Sequence, residues 1–191
     1  MRYHVALTLA LIAAPVRPAF ADMSEYRRLL EQNALGVVTR TRDDGTVEQT
    51  FDMGEGVKVT CDPDGCMGLD WSENGAVGCA FSIMAWVQAT AQTCKLPLPE
   101  DRLIKLERMT DLTAEFIAAN SLPRQSIASV LSDANDSLET YRQEIALNPD
   151  ICARDAEVIM QMAEAMTSPE GIAANAQSLS RPRLPVMNPC L

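Results

Sequence analysis

Six cysteines and one dense group of carboxylates are the residues of this chain best suited to chemistry. Cys61, Cys66, Cys79, Cys94, Cys152 and Cys190 form an even set. In an exported protein such a set reads as disulfides, because the compartment is oxidising. Redox catalysis is the rival use of paired thiols. It normally needs C-x-x-C at a helix start, where the thiolate is stabilised. The closest spacing here, Cys61-Asp-Pro-Asp-Gly-Cys66, has four intervening residues, two of them acidic. Acidic neighbours raise a thiol pKa and weaken the nucleophile. The six sulfurs are therefore read as structural.

Asp62, Asp64, Asp70 and Glu73 fall within twelve residues, with Asp52 and Glu55 just before. Hard oxygen ligands this close suit Ca²⁺. The spacing departs from an EF-hand loop, because Gly65 and Cys66 stand where an Asx and then a Gly belong. The same carboxylates could form the acid–base pair of a sugar hydrolase, which needs no histidine. Sugar sites usually present aromatic faces, and only Trp71 lies nearby. Asp-Pro-Asp-Gly is also ordinary turn chemistry, so a solvated turn is the simplest reading of these acids.

Trp71, in the same stretch, is the candidate interface residue. Trp86 sits between Phe81 and Val87 and is expected inside, with Phe81 and Met84. Met160, Met162 and Met166 offer thioethers of the kind that bind Cu(I). On a helix only Met162 and Met166 share a face, and methionine is a common core filler.

The chain begins with Arg2 and continues with an uncharged run, Val5 to Ala14, then Pro15 and Ala19-Phe20-Ala21. A basic start, a short apolar stretch and small residues at the end make a signal peptide over residues 1–21. A membrane span needs about 20 apolar residues, which this run lacks. The absence of an Arg-Arg pair favours the general secretory route, and no later run is long enough to span. The expected location is the periplasm or outside the cell, with the mature chain starting at Asp22.

Removing that segment removes His4, the only histidine, together with Arg2 and Arg17. Fourteen basic and 26 acidic residues remain, a net charge of −12. Such a charge repels nucleic acid and anionic lipid. Without an imidazole there is no Ser-His-Asp or Cys-His centre and no histidine zinc site. Haem attachment through C-x-x-C-H is excluded as well. Lys58, Lys95 and Lys105 sit in no S-x-x-K pattern, and no Walker or G-x-G-x-x-G loop is present. No cofactor is expected.

The elements that would position these residues follow from periodicity. Ser24 caps a short helix through Glu25 to Leu35, with Leu29, Leu30 and Leu35 at helical spacing. Val37 to Arg42, Thr46 to Met53 and Val57 to Cys61 read as a three-stranded antiparallel meander, turning at Asp43-Asp44-Gly45 and Gly54-Glu55-Gly56. Its exposed face should carry Thr, Glu and Lys. Cys61 to Gly75 reads as irregular. Ala76 to Cys94 is apolar on nearly all sides, as a central helix is. Further helices are expected over Glu100 to Asn120, with Leu103, Leu106, Met109, Leu112, Phe116 and Ile117 inward, and over the segment from Ile127 to Ile145. A fourth begins at Asn148-Pro149 and reaches about Met166, and a short one is expected near Pro169 to Leu179.

Short connections make successive helices antiparallel. Cys94 and Cys152 then meet at one end of the helical layer. Cys79 precedes Cys94 by 15 residues, about 22 Å along a helix, too far for a disulfide. Cys94–Cys152, Cys61–Cys66 and Cys79–Cys190 are the favoured pairs, the last two being able to exchange partners.

These readings describe a mainly α, α+β protein. A four-helix bundle-like domain follows a short helix and a three-stranded meander, with disulfides holding the fold. Residues 22–72 hold the helix, meander and acidic loop, 73–166 the bundle in the same domain, and 167–191 a Pro-containing tail. The expected function is that of an exported, non-catalytic interaction or accessory protein (binding, inhibitory or chaperone-like) that acts on a protein or envelope component. A carboxylate-dependent envelope enzyme and a Ca²⁺-stabilised domain are the alternatives.

Overall fold

The computed structural model describes residues 23–190. The expected signal peptide, residues 1–21, lies outside them. The chain runs α1 (Met23–Gln32), a 3₁₀ turn (Ala34–Gly36), β1 (Val37–Thr41), β2 (Val47–Gly54), β3 (Val57–Cys61) and β4 (Cys66–Asp70). Five helices follow: α2 (Val77–Thr93), α3 (Glu100–Asn120), α4 (Ile127–Leu147), α5 (Asp150–Thr167) and α6 (Pro169–Ser178). The architecture is α+β.

The meander has four strands, not three. They lie in the order β1-β2-β3-β4, all antiparallel. The fourth, Cys66-Met-Gly-Leu-Asp, falls in the stretch expected to be irregular. It lacks β-branched residues and carries a glycine, so propensity does not mark it. The Cys61–Cys66 disulfide and the register Cys61↔Cys66 to Val57↔Asp70 hold it against β3. The alternation in β3 is clear: Val57, Val59 and Cys61 are buried and Lys58 is exposed. The β1–β2 turn uses Gly45 at φ 86°, where only glycine is unstrained.

The first helix ends at Gln32, where the Asn33 side chain donates to the Leu29 carbonyl. Leu35, expected at the end of this helix, therefore falls in the 3₁₀ turn and is fully exposed. Tyr26 and Leu30 are the α1 residues that reach the core.

The second helix is the central one. Its buried residues lie on most of its circumference, and it touches α3, α4 and α5. Those three surround it unevenly, α4 and α5 meeting each other least, so a regular four-helix bundle is not what forms. On α3 the buried stripe is Leu106, Met109, Thr110, Thr113, Ala114 and Ile117. Leu112 is exposed: it is next to Thr113 in sequence but turned about 100° from it around the helix, outside the stripe. Thr110 and Thr113 tolerate burial by donating to the carbonyls of Leu106 and Met109. The N-termini of α4 and α6 are capped by Ser126 and Ser168, each accepting from a backbone N–H three residues on.

Three disulfides tie these elements: Cys61–Cys66, Cys79–Cys190 and Cys94–Cys152, with Cα separations of 4.0, 5.3 and 5.4 Å. The residues after α6 return to the sheet. Leu184 and Val186 enter the same apolar cluster as Tyr26, Leu30, Val57 and Val59. The tail is thus part of the core. Among the described residues no helix is long and apolar enough to cross a membrane.

Candidate functional site

The register places successive side chains of β4 on opposite faces of the sheet. Gly68 and Asp70 turn inward and are buried. Met67 and Leu69 turn outward, opposite Thr60 and Lys58. The Trp71 N–H donates to the Gly56 carbonyl (2.9 Å), which carries the pairing one residue past the strand. Met67 is 52% exposed and Trp71 66%, with Leu69 half-buried between them. The three side chains form an apolar stripe along the outer face. Thr50, Thr60, Glu48 and Lys58 share that face, as the meander pattern leads one to expect.

The acidic loop beside the stripe is ordered by its own bonds. The Asp62 N–H donates to the Gly65 carbonyl (2.8 Å), and Asp62 Oδ1 accepts from the backbone N–H groups of Asp64 (2.9 Å) and Gly65 (3.0 Å). Asp62 Oδ2 lies 3.6 Å from Arg42 Nη1. Asp64 and Glu73 are exposed. Asp52 and Glu55 are held apart by Lys58 at 3.8 Å and Arg181 at 2.9 Å.

Asp70 departs from its expected place in a solvated loop. Its side chain is 1% exposed and lies 2.8 Å from Arg183 Nε, itself 3% exposed. Asp70 Oδ1 accepts from the Ser72 N–H (2.8 Å). The guanidinium of Arg183 also donates to the Gly75 carbonyl (3.0 Å), to Ser178 Oγ (3.1 Å) and to the Ser178 carbonyl, and lies over the Phe116 ring. The four candidate carboxylates therefore do not converge: Asp62 and Asp70 have separate partners, and Asp64 and Glu73 are exposed. Among the described residues no three His, Cys, Asp or Glu side chains are placed to hold a metal ion.

Arg183 is the residue that sequence reasoning missed. Arg-Pro-Arg-Leu-Pro looks like a solvated tail. The available signal was Cys190: once it pairs with Cys79, at the start of α2, the segment before it must pass beside the sheet.

The two edges of the sheet differ. The tail covers β4: the Asp70 N–H donates to the Asn188 carbonyl (2.7 Å), and Leu69 and Asn188 form a parallel bridge. No described strand pairs with the outer edge of β1. Elsewhere, a groove of about 220 Å³ between α2, α3 and α4 has Phe81, Ala89 and Leu138 on its floor and Glu107, Asp111 and Arg142 on its walls. That volume is below the range usual for small-molecule sites. Trp86 packs beside Tyr141, ring centroids 6.2 Å apart, and Met162 and Met166 pack on the α2–α3 cluster.

The chain matches no protein-family model, no curated protein and no solved structure.

Proposed function

We propose that this chain is an exported, non-catalytic interaction protein that docks a protein or envelope component through its meander edge and the Cys61–Glu73 segment. The observation that supports this reading is the stripe Met67, Leu69 and Trp71. An indole and a thioether left exposed on a strand cost solubility, and aromatic and Met side chains are the residues that interfaces favour. The stripe stands on a rigid base. The Cys61–Cys66 disulfide closes one end of β4 and the Asp70–Arg183 pair anchors the other. A preordered surface loses little entropy on binding.

Export is part of the proposal. Three disulfides suit an oxidising compartment, and the leader pattern of residues 1–21 supplies the route. The carboxylate alternatives gain no support from Asp70, which is committed to Arg183.

The test is affinity capture from envelope extracts with the non-reduced protein and with Trp71→Ala, after intact mass has set the cut site and the number of disulfides. Trp71 is exposed, so its replacement leaves the fold intact. A partner retained by the wild type and lost with Trp71→Ala supports the reading. Turnover by the purified protein that one carboxylate substitution abolishes would refute it.

A further inference from the structure

The outer edge of β1 is complementary to itself. The Arg42 N–H donates to the Thr46 carbonyl and the Arg42 carbonyl accepts from the Gly45 N–H, both at 2.9 Å. Arg42 thus turns its backbone toward β2. Antiparallel pairing alternates, so Arg40 and Val38 do the same, while Thr41, Thr39 and Val37 turn theirs outward. The Val37 N–H agrees, donating to the Ala34 carbonyl and not to β2. Thr39 and Thr41 are left with outward N–H and C=O groups that no described residue bonds.

We propose that β1 pairs with β1 of a second copy of this chain, antiparallel and centred on Thr39. The proposal rests on the reading of the meander edge as a docking surface and names its occupant. In this register the two Thr39 residues exchange both backbone bonds. Each Thr41 N–H donates to the Val37 carbonyl of the second copy. On the outer face Arg40 stands opposite Val38 of the second copy, so no like charges face each other directly.

Three further observations favour a second copy. Natural edge strands are blunted by Pro, bulges or charge. Val37-Val-Thr-Arg-Thr41 has no Pro and a regular register with β2, the irregularity in the sheet lying between β2 and β3 at Asp52/Gly54; its one charge, Arg40, sits opposite Glu48 of β2. Leu35, in the turn that leads into β1, is wholly exposed, and Val38, on the strand itself, is 54% exposed. The tail already occupies the β4 edge, so pairing closes at two copies and builds no filament. The product is one eight-stranded sheet whose outer face carries two Met67–Leu69–Trp71 stripes. The net charge of −12 on each exported chain opposes association, so salt favours the dimer.

Sedimentation velocity tests this on the protein isolated from an exporting host, from low micromolar to near-millimolar concentration, at low and high salt. The expected result is a monomer–dimer equilibrium that shifts toward dimer as salt rises. Thr39→Pro removes an outward N–H without touching the β1–β2 ladder, and gives a monomer with an unchanged circular dichroism spectrum. Val38→Lys sets cations opposite Arg40 and weakens the dimer about tenfold; Val38→Glu strengthens it by about the same factor. A monomer at every concentration overturns the proposal while leaving Trp71-dependent capture standing. A dimer unmoved by Thr39→Pro overturns it too, as does the opposite order of the two Val38 variants. If Thr39→Pro does not fold, the Val38 pair decides alone.

Discussion

Asp70 and Arg183, 113 residues apart in sequence, meet as an ion pair from which solvent is excluded. One ends the last strand and the other lies in the C-terminal tail, so the pair joins the sheet to the segment that closes its edge. Four further bonds satisfy the remaining polar atoms: the Ser72 N–H on Asp70, and the Gly75 carbonyl and both oxygens of Ser178 on Arg183. A buried pair satisfied in this way differs from the exposed ion pairs of α3 and α5, which contribute little.

Removing one partner leaves the other charged and stranded. Arg183→Met or Asp70→Asn should cost about 3–5 kcal/mol in urea unfolding. The double variant Asp70→Leu/Arg183→Met should recover a large part of that loss, because no uncompensated charge remains. If the single variants unfold at wild-type urea concentrations, the pair does not anchor the tail.

The disulfides divide by the length of chain they close. Cys94–Cys152 closes 58 residues and Cys61–Cys66 only 5. Chain entropy assigns about 4 kcal/mol to the first and about 2 to the second. Cys94→Ala/Cys152→Ala should therefore lower stability about twice as much as Cys61→Ala/Cys66→Ala. Equal losses would mean that native-state geometry, rather than loop length, sets their worth.

How far these relationships were legible depends on the range over which each is determined. Helix limits were readable where periodicity and Pro agree, as at Pro99 before α3 and Pro149 before α5. Leu35 and Leu112 misled, because an apolar residue near a stripe need not lie on it, and the helix phase is set by what packs against it. The strand β4 was not legible, since its pairing comes from β3 and a cross-link and not from its own composition. Of the site, Trp71 stood out as a lone indole in a loop. Its neighbours Met67 and Leu69 did not, because their common face exists only once β4 is a strand. Asp70 was seen as one acid among four, and only the returning tail separates it from the others.

Tyr26 supplies a pH-dependent contribution. It is 7% exposed on α1, and burial pushes its pKa from 10.0 up to about 12. The raised value means that the fold favours the neutral phenol. Its stabilisation is whole below pH 10 and is lost as the pH rises from 10 toward 12, by about 2–3 kcal/mol. Tyr26→Phe should lack that part of the alkaline loss when unfolding midpoints are compared on either side of the window. Identical alkaline losses in the two proteins would place the cause elsewhere.

Calcium should leave the melting temperature unchanged relative to chelator. Asp62 is spent on its own turn and on Arg42, Asp70 on Arg183, and Asp64 and Glu73 do not join them. A ligand bound only by the native state must raise stability. A calcium-dependent rise would show that the loop rearranges around the ion, and would restore the reading in which these acids are ligands.

Residue 68 is glycine for a steric reason. A Cβ there would lie 2.3 Å from Val186 Cγ1 and 2.9 Å from the Tyr26 hydroxyl. The inward face of β4 is thus pressed on one side by the tail and on the other by α1. Gly68→Ala should push Val186 away and destabilise the protein by about 1–3 kcal/mol, the usual range for overpacking. Val186→Ala alone should also cost stability, through a cavity at a position that is 1% exposed. Combined, the two changes exchange volume across one contact, so their effects should fall well short of additive. Strict additivity would mean that residue 68 and the tail do not touch. The tail would then lie away from β4, its edge would be open, and pairing through β1 would no longer stop at two copies.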